Sequence, residues 1–137
     1  MQFALIFLLF VSTKNAESNV LITEKDVQCV AETLYSEARG EEYKGIVSVG
    51  NTIVNRHKKL KKKICTIVKT AYTQKRIIHK DKEKFYIIAR DVLYKRTKNF
   101  VGERDSFDSY KQRYYKHKNH TTVKIGHHYF YQVLYSQ

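Results

Sequence analysis

The sequence contains no proline, no tryptophan and only two cysteines among its 137 residues. We attribute the missing proline and tryptophan, together with plentiful lysine, isoleucine and tyrosine, to the base composition of the gene, and draw no functional conclusion from them. The two cysteines, Cys29 and Cys65, lack the close pairing motif of a cysteine-based zinc site. We therefore expect no zinc site built on them.

Acidic side chains are also scarce. There are 13 of them against 26 basic ones, so the net charge is 26 − 13 = +13. Such an excess favours polyanionic surroundings, which include nucleic acid, anionic lipid head groups and an acidic cell-wall polymer, and charge does not choose among them. A hydrophobic content of 42% and a charged content of 28% are typical of one globular domain rather than a disordered chain.

The sequence has no apolar run long enough to span a membrane at its N-terminus. Phe3 to Val11 is an unbroken run of nine apolar residues, whereas a spanning helix needs about 20. A run of this length suits the core of a secretory signal. We therefore expect residues 1–16 to be a signal peptide or an N-terminal membrane anchor and residues 17–137 to form the folded, exported domain. The alternative is an N-terminal helix docked in the core.

Whether the chain is exported decides the expected oxidation state of its two cysteines. In an exported chain Cys29 and Cys65 are read most simply as one disulfide, whereas in a reducing cytosol they are two buried thiols that never meet.

A first amphipathic helix is predicted over residues 24–38. Thr23 and Asp26 have the spacing of a capping box, and Gly40 ends the helical pattern. Apolar side chains recur at steps of three and four residues and share one face, which we expect to be buried: Val27, Val30, Ala31, Leu34, Tyr35 and Ala38.

Glu37 lies at the edge of that buried face. It is only about 20° around the helix axis from Val30, whereas Glu32 projects well away. A carboxyl group that loses part of its hydration tends to hold a proton that it can donate near neutral pH. Glu37 is therefore a candidate acid catalyst. The alternative is a boundary glutamate paired with one of the many basic side chains, and helix geometry alone favours that alternative.

The rest of the chain predicts further helices followed by a small β element. A second amphipathic pattern runs from Ile46 into Asn55-Arg56-His57, and helices are expected over residues 64–71 and 81–96. The lysine-rich run 58–63 is interpreted as a solvated helix end or loop. Residues 99–119 show no regular pattern, and two short strands joined at Gly126-His127 are expected within 121–134. The predicted fold class is α+β, mainly α.

These segments, taken in order, resemble the SleB-type cell wall hydrolases, which include spore cortex-lytic enzymes and their bacterial and phage relatives. The resemblance covers roughly residues 26 to 131. It is carried by Cys29-Val30-Ala31, Tyr35-Ser36-Glu37-Ala38-Arg39-Gly40-Glu41, Gly45, Val54-Asn55-Arg56, Ile64-Cys65-Thr66-Ile67-Val68 and Ile125-Gly126-His127-His128-Tyr129-Phe130-Tyr131.

The resemblance implies a single lysozyme-like domain that cleaves peptidoglycan between N-acetylmuramic acid and N-acetylglucosamine, typically as a lytic transglycosylase. It implies that Glu37, the first glutamate of the EARGE stretch, is the catalytic acid. Relatives often carry cysteines at both positions, which implies a disulfide between Cys29 and Cys65. We expect a monomer that needs no metal or other cofactor and that binds glycan strands and, through its basic charge, anionic wall polymers. We expect it not to bind nucleic acid.

The chain departs from the family in its middle and late parts, so the substrate contacts are inferred by looser similarity. Tyr72 and Gln74 stand near a Tyr-Gln stretch of the relatives, and Tyr114 and Tyr115 near a later Tyr-His pair. Gln74 is expected to hydrogen-bond an N-acetyl group, and the tyrosines to pack on sugar faces. The alternative for each is a core or surface residue.

Three other functions compete with this interpretation. A nucleic-acid-binding module would also use a charge of +13 with 11 tyrosines. A metal hydrolase would rest on His117, His120, His127 and His128, although adjacent histidines in a strand are expected to point to opposite faces. An inactive, binding-only relative is the third.

Within the enzyme interpretation, Asp105 or Asp108 is a candidate second carboxylate. A second carboxylate would turn the reaction from transglycosylation into hydrolysis.

Overall fold

The computed structural model describes residues 21–109 and 122–133, which form four α-helices followed by a three-stranded antiparallel sheet. The strand order is β1-β3-β2. The predicted α+β, mainly α class is confirmed. The elements are α1 (Glu24–Ala38), α2 (Tyr43–Leu60), α3 (Ile64–Ala71), a 3-10 turn (His79–Asp81), α4 (Lys82–Leu93), β1 (Ser106–Asp108), β2 (Val123–Ile125) and β3 (His128–Tyr131).

Helix α1 lies at the centre of the helical part and contacts each of the other three helices. It begins with the predicted capping box, in which the Thr23 hydroxyl accepts from the Asp26 backbone N–H and the Asp26 carboxylate accepts from the Thr23 N–H. The face predicted to be buried is buried, and it includes Val27, Val30 and Leu34 with no exposed surface. Burying such a face stabilises the helix more than local propensity does.

The sheet packs against α2 through β1 and β2. Strand β3 lies in the middle, so that Phe107 of β1 and Val123 of β2 both face Phe130 in the pairing register. Phe130 and Ile125 join the hydrophobic core that the helices form. The two predicted C-terminal strands are confirmed, whereas β1 was not predicted.

The prediction of a solvated lysine run was wrong for Lys59. Helix α2 continues to Leu60 and turns Lys59 inwards, where its ammonium group lies 2.9 Å from Asp105 Oδ2. The Lys59 side chain is 5% exposed and that of Asp105 is fully buried. The neighbouring Lys58 and Lys61 are exposed, as expected of a helix end.

Cys29 and Cys65 form a disulfide with a Cα–Cα distance of 5.4 Å. The bond joins the first half of α1 to the start of α3 and closes a loop across a sequence separation of 36 residues. The structure therefore contains the disulfide that the resemblance implied.

Loss of this disulfide is expected to lower the free energy of unfolding by about 2 to 4 kcal/mol, because the cross-link restricts the unfolded chain. The measurement is urea unfolding of the protein with and without reductant. A Cys29→Ala/Cys65→Ala variant should unfold at the lower midpoint, and reductant should not change that midpoint. Equal midpoints for oxidised and reduced protein would contradict the prediction.

Within residues 21–109 and 122–133, no helix combines the length and the apolar character that crossing a membrane requires. The expected signal peptide or anchor falls on residues 1–16, outside the described residues, and stays a prediction.

Candidate active site

Glu37 lies in the last turn of α1 and is half-buried, as its helical position predicted. Its carboxylate atom Oε1 accepts a hydrogen bond from the Thr73 backbone N–H at 2.9 Å. Glu32 was predicted to project away from the apolar face of α1. It is also half-buried, and it accepts a hydrogen bond from the Gln28 side-chain amide at 2.9 Å.

A cleft of about 330 Å³ opens beside Glu37. This volume is within the range of small-ligand sites. The cleft lies between the end of α1, the end of α3 and strand β1. Its lining consists of Glu37, Thr70, Ala71, Tyr72, Thr73 and Phe107. Glu37 is the only acid among these lining residues.

One wall of the cleft is an aromatic stack. The rings of Tyr72 and Phe107 are parallel within 3°, with centroids 5.4 Å apart. The Tyr72 hydroxyl is buried, and the Arg56 guanidinium lies 6.0 Å from the centroid of its ring. Burial raises the pKa of Tyr72 well above its ordinary value, although the charge of Arg56 opposes this. Tyr72 is therefore a neutral phenol at pH 7.

The Asn55-Arg56 pair holds the segment that leads into β1. The Asn55 amide donates to the carbonyls of Gly102 at 2.7 Å and Arg104 at 2.6 Å. Arg56 Nη1 lies 3.3 Å from both the Asp105 carbonyl and the Ser106 hydroxyl. These bonds place Phe107 beside the cleft. The pair marked the resemblance in the sequence, but its role became visible only in the structure.

Gln74 follows Thr73 in the chain, and its side chain forms hydrogen bonds to α1. Its amide nitrogen is 3.2 Å from the Cys29 carbonyl and 3.3 Å from Thr33 Oγ1. The predicted substrate residues Tyr114 and Tyr115 lie outside the described residues. The structure thus brings Tyr72 to the cleft and gives Gln74 partners on α1.

Glu41 was not assigned a role in the sequence. Its side chain is 8% exposed, and Oε1 accepts from the His127 backbone N–H at 3.1 Å. Two glycines make room for it. A Cβ at Gly45 would lie 2.9 Å from the Glu41 Cβ, and one at Gly126, whose φ is +59°, would collide with the carboxylate. Gly45 and Gly126 both belong to segments that carry the family resemblance. That was the only sign in the sequence that the surroundings of Glu41 matter.

Both adjacent histidines approach the same Glu41 oxygen, with His127 Nδ1 at 3.0 Å and His128 Nδ1 at 3.5 Å. The prediction that they point to opposite faces was therefore wrong, because His127 lies in the turn before β3 and strand alternation does not apply to it. Their exposure still differs, at 87% and 8%. No group of three or more metal-ligand residues suited to an ion occurs in the part of the chain that the structure describes.

His128 connects Glu41 to the aromatic wall. Its ring meets that of Phe107 edge-on with centroids 5.0 Å apart. Burial lowers the pKa of His128 below its ordinary value, while the negative charges of Glu41 and Glu37 oppose the shift. His128 is therefore a neutral ring at pH 7 and supports Phe107 by packing.

The Asp105 carboxylate forms a buried ion pair and hydrogen bonds within the protein. It accepts from Lys59, from the Ser106 hydroxyl at 3.0 Å and from the Val133 backbone N–H at 2.9 Å. Asp108 is half-buried on β1 and accepts from the Ser109 N–H at 2.9 Å. Neither is among the residues that line the cleft beside Glu37.

The family model described as Cell Wall Hydrolase matches residues 40–131, more than half of the chain. The match includes Glu41, Asn55-Arg56, Tyr72, Phe107 and His128, and it begins three residues after Glu37. No curated protein and no solved structure matches the chain. The matched segment contains the aromatic wall of the cleft and the residues that hold it in place. The chain belongs to the cell wall hydrolase family, whose members degrade peptidoglycan.

Proposed function

We propose that this protein is a lytic transglycosylase that cleaves the bond between N-acetylmuramic acid and N-acetylglucosamine, with Glu37 as its one acid and base. The observation that carries the proposal is the half-buried Glu37 carboxylate, the only acid lining its cleft, with one oxygen bonded to the Thr73 N–H. A transglycosylase needs one such group, whereas hydrolysis by the usual routes needs two carboxyl groups about 5 to 9.5 Å apart.

The reaction begins with proton donation from Glu37. Because Oε1 is occupied by the Thr73 N–H, the proton is carried on Oε2. Its transfer to the glycosidic oxygen breaks the bond to C1 of the muramic acid while an oxocarbenium-like transition state develops. The N-acetylglucosamine leaves as an alcohol, and Glu37 is left as a carboxylate that the Thr73 N–H stabilises.

The same carboxylate then takes the proton from the C6 hydroxyl of that muramic acid. The C6 oxygen forms a bond to C1 and gives a 1,6-anhydro end. Glu37 recovers its proton, and no water is consumed. The second carboxylate candidates do not support hydrolysis, since Asp105 is fully buried and paired with Lys59 and Asp108 does not line the cleft.

The aromatic wall supplies a surface for the sugar. Tyr72 and Phe107 both line the cleft, and aromatic side chains offer apolar area with little loss of conformational freedom. Tyr114, Tyr115 and the free face of Gln74 remain proposed contacts. The net charge of +13 holds the enzyme near anionic wall polymers. Export to the wall fits a family that generally acts outside the cytoplasm.

The test is product analysis of purified peptidoglycan after digestion. Mass spectrometry should find muropeptides with anhydro ends, which are lighter by one water than reducing ends. A digest by a hydrolytic muramidase is the matched reference. Reducing ends alone would show hydrolysis instead. Binding to DNA that weakens steeply with salt, without any release of muropeptides, would favour the nucleic-acid-binding alternative.

A further inference from the structure

A short segment between α3 and α4 connects the catalytic cleft to the middle of α1. We name Tyr72, Thr73 and Gln74 the strap. The Tyr72 N–H closes α3 by donating to the Val68 carbonyl at 3.1 Å. The next two residues each bind α1: the Thr73 N–H binds the Glu37 carboxylate at 2.9 Å, and the Gln74 amide binds the Cys29 carbonyl and the Thr33 hydroxyl.

Gln74 anchors a stretch that has no regular secondary structure of its own. Residues 73–78 form neither helix nor strand before the 3-10 turn His79–Asp81. Backbone in such a stretch is held by its side-chain and tertiary contacts. The position of the Thr73 N–H therefore depends on the bonds that the adjacent Gln74 makes.

The Gln74 amide nitrogen is held on α1 by two acceptors that are themselves joined by a hydrogen bond. It lies 3.2 Å from the Cys29 carbonyl and 3.3 Å from Thr33 Oγ1, and the Thr33 hydroxyl donates to that same carbonyl at 2.9 Å. Thr33 is fully buried in α1, so this anchor is part of the protein interior.

We propose that Gln74 is a positioning residue for Glu37: by fixing the strap on α1, it keeps the Thr73 N–H on Glu37 Oε1 and reserves Oε2 for the catalytic proton. The inference rests on the proposed function of Glu37 as the acid and base. This role of Gln74 is separate from the expected contact with an N-acetyl group, and the two variants below distinguish them. A loosened strap leaves both Glu37 oxygens free to rotate, and a misplaced proton donor slows the reaction without changing how the glycan binds.

Two variants separate positioning from substrate contact. Gln74→Met keeps the length of the side chain and removes both donors. Thr33→Val removes one acceptor at a position where no substrate can reach. We expect each to lower kcat about 2- to 10-fold, the equivalent of one ordinary hydrogen bond, with KM for soluble glycan strands unchanged. The matched control is Thr52→Val, which removes the hydroxyl of another fully buried helical threonine, bonded to the Ser48 carbonyl at 3.0 Å within α2.

Hydrogen exchange of the Thr73 amide gives a second measurement that needs no catalysis. Exchange should be faster in Gln74→Met and Thr33→Val than in the wild type and in Thr52→Val. A raised KM in Gln74→Met together with normal kinetics in Thr33→Val would overturn the inference in favour of substrate contact. Exchange of the Thr73 amide at the wild-type rate in both variants would show that Gln74 does not anchor the strap. If the wild type released no muropeptides, the proposed function would fail, while the exchange rates would still decide whether Gln74 anchors the strap.

Discussion

Replacing Glu37 with glutamine should reduce the release of muropeptides from purified peptidoglycan by at least about 100-fold, the typical contribution of a general acid. The glutamine side chain has the size of glutamate, and its carbonyl oxygen can still accept the Thr73 N–H bond that Glu37 Oε1 accepts at 2.9 Å. It cannot give a proton to the glycosidic oxygen or take one from the C6 hydroxyl. Both halves of the proposed reaction are therefore lost while the cleft keeps its shape.

The matched control is Glu32→Gln. Glu32 lies on the same helix, is also half-buried and also makes a side-chain hydrogen bond, but it lies outside the cleft lining. Its variant should digest the wall at close to the wild-type rate. Circular dichroism should show the wild-type fold for both variants, and urea unfolding should give both a free energy of unfolding close to that of the wild type. Full activity in Glu37→Gln would remove this residue from the mechanism.

Replacing Lys59 with methionine should lower the free energy of unfolding by about 3 to 5 kcal/mol, the usual cost of removing one partner from a buried ion pair. The Asp105 side chain is fully buried, and Lys59 Nζ lies 2.9 Å from its Oδ2. The variant removes the Lys59 ammonium group from beside that carboxylate in a site of low dielectric constant. Urea unfolding followed by circular dichroism measures the change.

Lys58→Met is the control for this prediction. Lys58 is the exposed neighbour in the same helix, and surface changes of this kind usually alter stability by no more than about 0.5 kcal/mol. Replacing Lys59 and Asp105 together with apolar residues should recover part of the loss, because neither charge of the pair then has to be buried. Equal stability of the Lys58 and Lys59 variants would mean that the pair contributes little.

The features that could be predicted from the sequence depend on neighbouring residues. The capping box of Thr23 and Asp26 defines the start of α1, and the apolar steps that follow define its buried face. The position of Glu37 at the edge of that face therefore follows from local spacing alone. The bounds of α3 and the two C-terminal strands followed from equally local patterns. Helix α4 ends at Leu93 rather than near residue 96, since Lys95 adopts a positive φ of 56°.

The features that were missed depend on partners far away in the chain. Lys59 is buried because Asp105 lies 46 residues later, and Glu41 is buried because His127 lies 86 residues later. Periodicity contains no information about such pairs. Strand β1 has only three residues, too few to show alternation, and it exists through its pairing with β3.

The cleft is assembled late in folding, because its aromatic wall depends on a strand near the end of the described chain. Phe107 is placed by β1, and β1 is held by β3, which ends at Tyr131. Contacts between segments far apart in sequence form slowly, since the loops between them must first be closed. A ribosome would have to synthesise the chain as far as β3 before the aromatic wall could form beside Glu37. Partly synthesised chains that stop before β3 therefore contain Glu37 but not the aromatic wall of its cleft.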